Sequence, residues 1–159
     1  MKRRVVVLVA AVSMLGACGL FGGGAPKEPK ETTLEMTLAA GNQLNPNAQR
    51  RPSPVVVRVF DLKTPAGFDA ATYEGLFERD RETLAADLVA RDEFTLNPGE
   101  GKKVPERKLA AETKVLGVAV GFRELERAVW RATVPVKPNT KNRISVALDG
   151  VTVIATVVP

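Results

Sequence analysis

The sequence has no histidine among its 159 residues and only one cysteine. Without imidazole the usual general base is missing. The Ser-His and Cys-His nucleophile systems and the commonest metal ligand go with it. A single cysteine excludes an intrachain disulfide and a cysteine-built metal site, so stability must come from burial. Aromatics are few: one tryptophan, one tyrosine and six phenylalanines. That is a poor supply for the stacking platforms of a glycosidase or sugar-binding cleft. The paired acids Asp80/Glu82 and Asp92/Glu93 alternate with Arg79, Arg81 and Arg91. They lack the loop spacing of a calcium site and read as solvated surface charge. Gly22-Gly23-Gly24 follows no strand and leads to no lysine-serine/threonine pair, so it is not a phosphate loop. No apolar run reaches the roughly 20 residues of a spanning helix; the longest is Val5 to Leu15.

What is present at the start is more specific. Lys2, Arg3 and Arg4 precede the apolar run, and Leu15-Gly16-Ala17 leads into Cys18. A basic segment, a short apolar segment and small residues at the cut site make a secretory signal over residues 1–17. With the cysteine directly after the cut, the signal resembles the bacterial lipobox. Cys18 is then the attachment point for acyl chains. Each buried methylene contributes ~0.8 kcal/mol, so two or more chains anchor stably. Gly19 rather than Asp follows the cysteine, which by resemblance to lipoprotein sorting favours the outer membrane. The signal holds three basic residues and no acid, so the charge of +5 falls to +2 in the mature chain. Neither that charge nor the compartment suits a nucleic-acid partner. Residues 18–31, rich in glycine and then in Pro, Lys and Glu, read as a flexible tether of at most ~40 Å.

From residue 32 the dominant period is two. Leu34, Met36 and Leu38 alternate with Thr33, Glu35 and Thr37, Leu116 to Phe122 with Gly117, Ala119 and Gly121, and Trp130 to Val136, Ile144 to Leu148 and Val151 to Val157 show the same period. Val55, Val57 and Val59 form another such run, and Leu88 to Leu96 and Val104 to Ala111 supply two further strands. Asn97-Pro98-Gly99-Glu100 and Asp149-Gly150 are turn signals. Phe68 to Phe77 has helical spacing, with Asp69 as N-cap and Tyr73 and Phe77 facing a sheet. About eight short strands with one inserted helix make residues 32–159 an all-β, two-sheet β-sandwich. Trp130 is assigned to its core. Lys102 and Lys103 flank a turn in solvent. Arg58 and Arg131 cover apolar faces with their stems or pair with a carboxylate.

The remaining candidate site is the segment Gly41 to Ser53. As a hairpin connection it is far longer than the usual two to five residues. It carries one large apolar side chain, Leu44, and a basic pair, Arg50 and Arg51, stiffened by Pro46, Pro52 and Pro54. Two readings stand. The loop binds a partner, or it packs Leu44 on its own core and leaves the arginines in water.

The chain resembles the TssJ family, the outer-membrane lipoproteins of bacterial type VI secretion systems. The resemblance rests on Leu44-Asn45-Pro46, the run from Arg51-Pro52-Ser53-Pro54 to Asp61-Leu62, and Phe68, Tyr73 and Leu76. It continues with Leu84, Asp87-Leu88, Pro98-Gly99, Leu116-Gly117-Val118, Phe122-Arg123 and Trp130-Arg131. It implies a transthyretin-like sandwich with a structural, non-enzymatic role and no cofactor or metal. It also implies a partner: the periplasmic C-terminal region of the inner-membrane TssM-type subunit, met in a multimeric ring complex. The loop between the first two strands makes that contact in the family. It maps here onto Asn42, Leu44, Asn45, Asn47, Gln49, Arg50 and Arg51, with Leu44 as apolar anchor and the arginines as polar rim. The competing reading is a lipoprotein module that binds a glycan or another ligand.

Overall fold

The computed structural model describes residues 30–159. The signal segment, Cys18 and most of the tether lie outside the described residues. Eight strands form: β1 (Thr33–Ala40), β2 (Val55–Leu62), β3 (Leu88–Leu96), β4 (Gly101–Lys108), β5 (Val115–Val120), β6 (Arg131–Pro135), β7 (Lys141–Asp149) and β8 (Thr152–Val158). They make two four-stranded sheets, ordered β4-β1-β7-β8 and β3-β2-β5-β6. β1 and β7 run parallel, and the other ladders are antiparallel. The sandwich and its strands are those expected from the period-two pattern.

Alternation decides what lies between the sheets. Leu34, Met36 and Leu38 from β1 meet Ile144, Val146 and Leu148 from β7 in one core cluster. Val55, Val57 and Val59 from β2 and Leu116, Val118 and Val120 from β5 close it from the other sheet. β2 and β5 are buried on their outer faces too. There Phe60, Leu62 and Ala119 form a second cluster with Phe68, Leu76 and Leu84 of the helical insertion.

That insertion is three short helices rather than one: α1 (Ala66–Ala70), α2 (Tyr73–Glu78) and α3 (Asp80–Leu84). Asp69 lies inside α1 and caps nothing. Thr72 is the N-cap of α2, its Oγ1 accepting from the Gly75 N–H at 3.0 Å. The Phe68 ring seats on Gly117, where any Cβ would lie 2.8 Å from the ring edge. Full burial of such a ring contributes on the order of 2–3 kcal/mol.

Arg58 and Arg131 hold the insertion down through backbone carbonyls. Arg58 Nη1 donates to the carbonyls of Leu76 (3.0 Å) and Phe77 (2.7 Å) in the last turn of α2. Its Nε donates to Glu93 at 2.7 Å. Arg131 Nη1 donates to the carbonyls of Phe68 (3.1 Å) and Ala71 (2.6 Å) where α1 ends. Helix C-termini leave carbonyls without intrahelical partners, and a cation there is favoured by charge as well. Trp130 is only half-buried, against the expectation of a core position. It lies edge-on to Tyr73, with ring centroids 5.5 Å apart, and under the Arg131 guanidinium.

The acids expected in solvent are largely paired. Asp80 is 7% exposed and binds Arg91 at 2.5 Å. Asp92 and Glu93 pair with Arg107 and Arg58. Asp61, on the core face of β2, takes a bidentate pair of 2.7 Å hydrogen bonds from Arg107 of β4 and so clasps the two sheets. These bonds hold the Arg107 guanidinium above its ordinary pKa. On the outer face of the first sheet, Glu35 binds Lys141 and Lys103. Those contacts lower its carboxyl to about 2.

Connections alternate strictly between the two ends of the sandwich. One end carries the entry to β1 and the segments 63–87, 109–114 and 136–140. The other carries 41–54, 97–100, 121–130 and the Gly150-Val151 turn. In that turn Gly150 is the first central residue and takes the positive φ, 54°.

Candidate functional site

The segment Gly41 to Pro54 is not a hairpin loop. β1 and β2 belong to different sheets, so the segment crosses the end of the sandwich from one sheet to the other. Its length follows from that crossing. It cannot be shortened to a tight turn without tearing one strand from its sheet.

Leu44 plugs the end of the core. It is fully buried in the inter-sheet cluster, and its carbonyl accepts from Ser53 N at 2.9 Å. The sequence assignment of Leu44 as an apolar anchor for a partner is therefore corrected: its surface is spent on its own fold. Asn45 is corrected likewise. It is 2% exposed and has φ 47°, a left-handed conformation that Asn tolerates better than most residues. Its Nδ2 donates to the Pro54 carbonyl (3.0 Å), and its Oδ1 accepts from Arg123 N–H (2.9 Å). Its backbone N–H donates to the Gly150 carbonyl at 2.7 Å. One side chain thus joins the crossing segment to the β5–β6 connection, and one backbone group joins it to the β7–β8 turn.

The tip is a closed turn. Asn47, half-buried, accepts at Oδ1 from the N–H groups of Gln49 (3.0 Å) and Arg51 (2.9 Å). Asn47 N donates to the Arg51 carbonyl, and Arg50 N to the Asn47 carbonyl. Arg50 takes φ 60°. With the backbone held this way, Asn42, Gln49, Arg50 and Arg51 are exposed. Of the seven residues assigned from sequence, these four present side chains to solvent, and Asn47 shapes the turn beneath them.

Sequence reasoning missed the opposite wall. A 3₁₀ turn at Leu125–Arg127 faces the tip across a cleft of about 510 Å³. Gln43, Pro46 and Arg50 line one side; Glu124, Arg127 and Val151 line the other. The Asp149-Gly150 turn signal was legible, but nothing in the spacing of residues 123–127 ties them to residue 45. Only the Asn45 hydrogen bonds reveal the connection. Nearby, Glu100 accepts from the backbone N–H and side-chain amide of Asn97, and the backbone bond above all lowers its pKa.

Arg50, Arg51, Arg123 and Arg127 offer planar cationic donors, with Glu124 and Glu126 between them. No aromatic side chain lines the cleft. Among the described residues no group of three or more His, Cys, Asp or Glu side chains is arranged to hold a metal ion. No described helix is long and apolar enough to cross a membrane.

A family model described as "Type VI secretion lipoprotein, VasD, EvfM, TssJ, VC_A0113" matches residues 32–151. Among solved structures, the T6SS lipoprotein TssJ1 from Pseudomonas aeruginosa is 32% identical, with TM-score 0.78 over 81% of this chain and 98% of that chain. A chain of a structure titled "Type VI membrane complex" is 33% identical, with TM-score 0.67 over 81% of this chain and 99% of that one. A chain of the structure "T6SS protein TssM C-terminal domain (869-1107) from EAEC" is 29% identical, with TM-score 0.62 over 80% and 98% of the two chains. No protein among curated sequences matches.

Proposed function

This chain belongs to the type VI secretion lipoprotein family, and on that premise we propose that it fastens the secretion membrane complex to the outer membrane. Acylated Cys18 holds it in the lipid. The opposite end of the domain grips the periplasmic region of a TssM-type inner-membrane subunit. The role is mechanical and requires no catalysis.

The observation that carries this reading is the placement of the two ends. Lys30, on the tether side, leads directly into β1, and β1 ends at the crossing segment. Eight strand residues separate them, ~26 Å at the usual rise. A lipid-held chain therefore presents its preformed turn away from the bilayer, toward the periplasm. Asn45 and Asn47 fix that turn before any partner arrives, which lowers the entropy lost on binding. The TssM-titled structure supports the partner. The chain matched there is nearly covered by four-fifths of this one, so it is far shorter than the span 869–1107. We read it as a companion of the TssM segment.

Arg50→Glu/Arg51→Glu reverses two exposed charges and leaves Leu44, Asn45 and Asn47 untouched. We expect it to melt like the wild type and to lose capture of the partner's periplasmic region in a pull-down. Undiminished capture would remove the loop end from the contact.

A further inference from the structure

Hydrogen bonds fix both walls of the cleft beside the crossing segment to the β7–β8 turn. Asn45 N donates to the Gly150 carbonyl from one wall, and Val129 N donates to the Val151 carbonyl from the other. The Val129 carbonyl accepts from Val153 N in return. Asn45 Oδ1, accepting from the Arg123 N–H, ties the walls to each other. The fold therefore holds the space open, and a Cβ added at Gly150 would meet no atom within 4 Å. Pro46, Ala48 and Val151 give the cleft apolar lining. Val129, 53% exposed, lies beside Val151. The charged lining is Arg50, Glu124 and Arg127. Glu124 pairs with Arg127 at 3.7 Å, whereas Arg50 has no carboxylate within 4 Å among the described residues. The end as a whole is close to neutral, because Glu100, Glu126 and Asp149 offset Arg51 and Arg123. None of these lines the cleft, so the unpaired positive charge within it belongs to Arg50.

We propose that this cleft receives a large apolar side chain of the protein partner, flanked by a carboxylate that meets Arg50. The proposal rests on reading this end of the sandwich as the partner contact. A few buried apolar or aromatic anchors carry most of the energy of a protein contact. Leu44 is spent on the core and Phe122 is 3% exposed, so neither projects as an anchor. The anchor then comes from the other protein, and the cleft is the place shaped to take it. At about 510 Å³ it lies in the size range of sites that enclose a small molecule. That is ample for one side chain and the main chain that carries it. A glycan would call for aromatic rings to stack on, and no aromatic side chain lines the cleft. The carboxylate follows from Arg50. Covering an unpaired guanidinium costs free energy, and its planar fork takes a carboxylate through two parallel hydrogen bonds. With the walls already tied, little order is lost when the cleft fills.

The test measures binding of the mature chain, residues 18–159, to the periplasmic region of the TssM-type subunit by biolayer interferometry. Ala48→Trp fills the cleft from an exposed position. It should weaken binding by at least about tenfold at unchanged melting temperature. Lys102→Trp adds the same ring at the same end but outside the cleft, and should bind like the wild type. Arg50→Gln should weaken binding about tenfold and make it less sensitive to added salt. A benzoylphenylalanine photocrosslinker at position 48 should attach to a partner segment that carries a large apolar residue beside Asp or Glu. Undiminished binding of Ala48→Trp, equal loss in Ala48→Trp and Lys102→Trp, an unchanged salt response in Arg50→Gln, or a crosslink to a segment without such a pair overturns the proposal. Arg50→Glu/Arg51→Glu keeps the two failures apart. If it loses capture while Ala48→Trp binds fully, the cleft is rejected and the contact stands. If it too binds fully, the contact itself is rejected.

Discussion

Replacing Asn45 by alanine tests directly the architecture of the end that carries the crossing segment. The side chain is 2% exposed and satisfies two groups, the Pro54 carbonyl and the Arg123 N–H. Leaving each without a partner costs about 1–3 kcal/mol when water cannot reach it. Alanine also holds the left-handed φ of 47° less readily, for about 1 kcal/mol more. The sum is about 3–7 kcal/mol. Asn45→Gly separates the two contributions: it loses the same hydrogen bonds but accepts the backbone conformation, so it should be more stable than Asn45→Ala. Asn45→Asp keeps an acceptor for Arg123 N–H but sets a carboxylate against the Pro54 carbonyl, and should fall below wild type. Urea unfolding provides the assay. With a slope of about 2 kcal/mol per molar, the alanine variant shifts the midpoint by about 1.5–3.5 M. A change under ~0.5 kcal/mol for Asn45→Ala, or a glycine variant less stable than the alanine one, would refute the assignment of Asn45 as the tie between the connections.

Gly117→Ala places a methyl group 2.8 Å from the Phe68 ring; thermal melting should show a loss of about 1–3 kcal/mol from overpacking, and a neutral result would mean the helices lift freely. Asp61→Ala strips a buried carboxylate from Arg107. The usual cost of breaking such a pair is about 3–5 kcal/mol, and partial exposure of Arg107 and its remaining partner Asp92 point to the lower end. The double variant Asp61→Val/Arg107→Leu should lose less than the single one in denaturant titration. Glu35 has a carboxyl lowered to about 2 by Lys141 and Lys103. A depressed folded-state pKa contributes stability that is present above about pH 4.5 and is lost as pH falls through about 2. Unfolding midpoints measured over that range should decline more steeply for wild type than for Glu35→Gln.

The strands were legible because burial between two sheets imposes a period of two, and β1 and β7 obey it residue by residue. Their pairing was not, because a parallel neighbour distant in sequence leaves no local mark. The same gap turned the crossing segment into an apparent hairpin: alternation shows where strands are, not which sheet receives them. Leu44 illustrates the cost. A lone large apolar residue in a polar stretch fits an anchor or a plug equally well until the sheets are in place. Arg58 and Arg131 bind carbonyls in helices more than fifteen residues away, a contact with no sequence spacing to announce it. Asn42, Gln49, Arg50 and Arg51 could be nominated from the length of the segment and from the family resemblance, while Glu124 and Arg127 enter the cleft only through the tertiary bond from Asn45.

One strand gives the molecule a mechanical character. β1 runs unbroken from the tether side to the crossing segment and sits between β4 and β7. In the proposed anchor, a pull between the lipid and the turn at residues 47–51 travels along its covalent backbone. Neither sheet ladder need shear for the load to pass, and neither sheet need separate from the other. The rest of the sandwich acts as a collar that keeps this single cable straight.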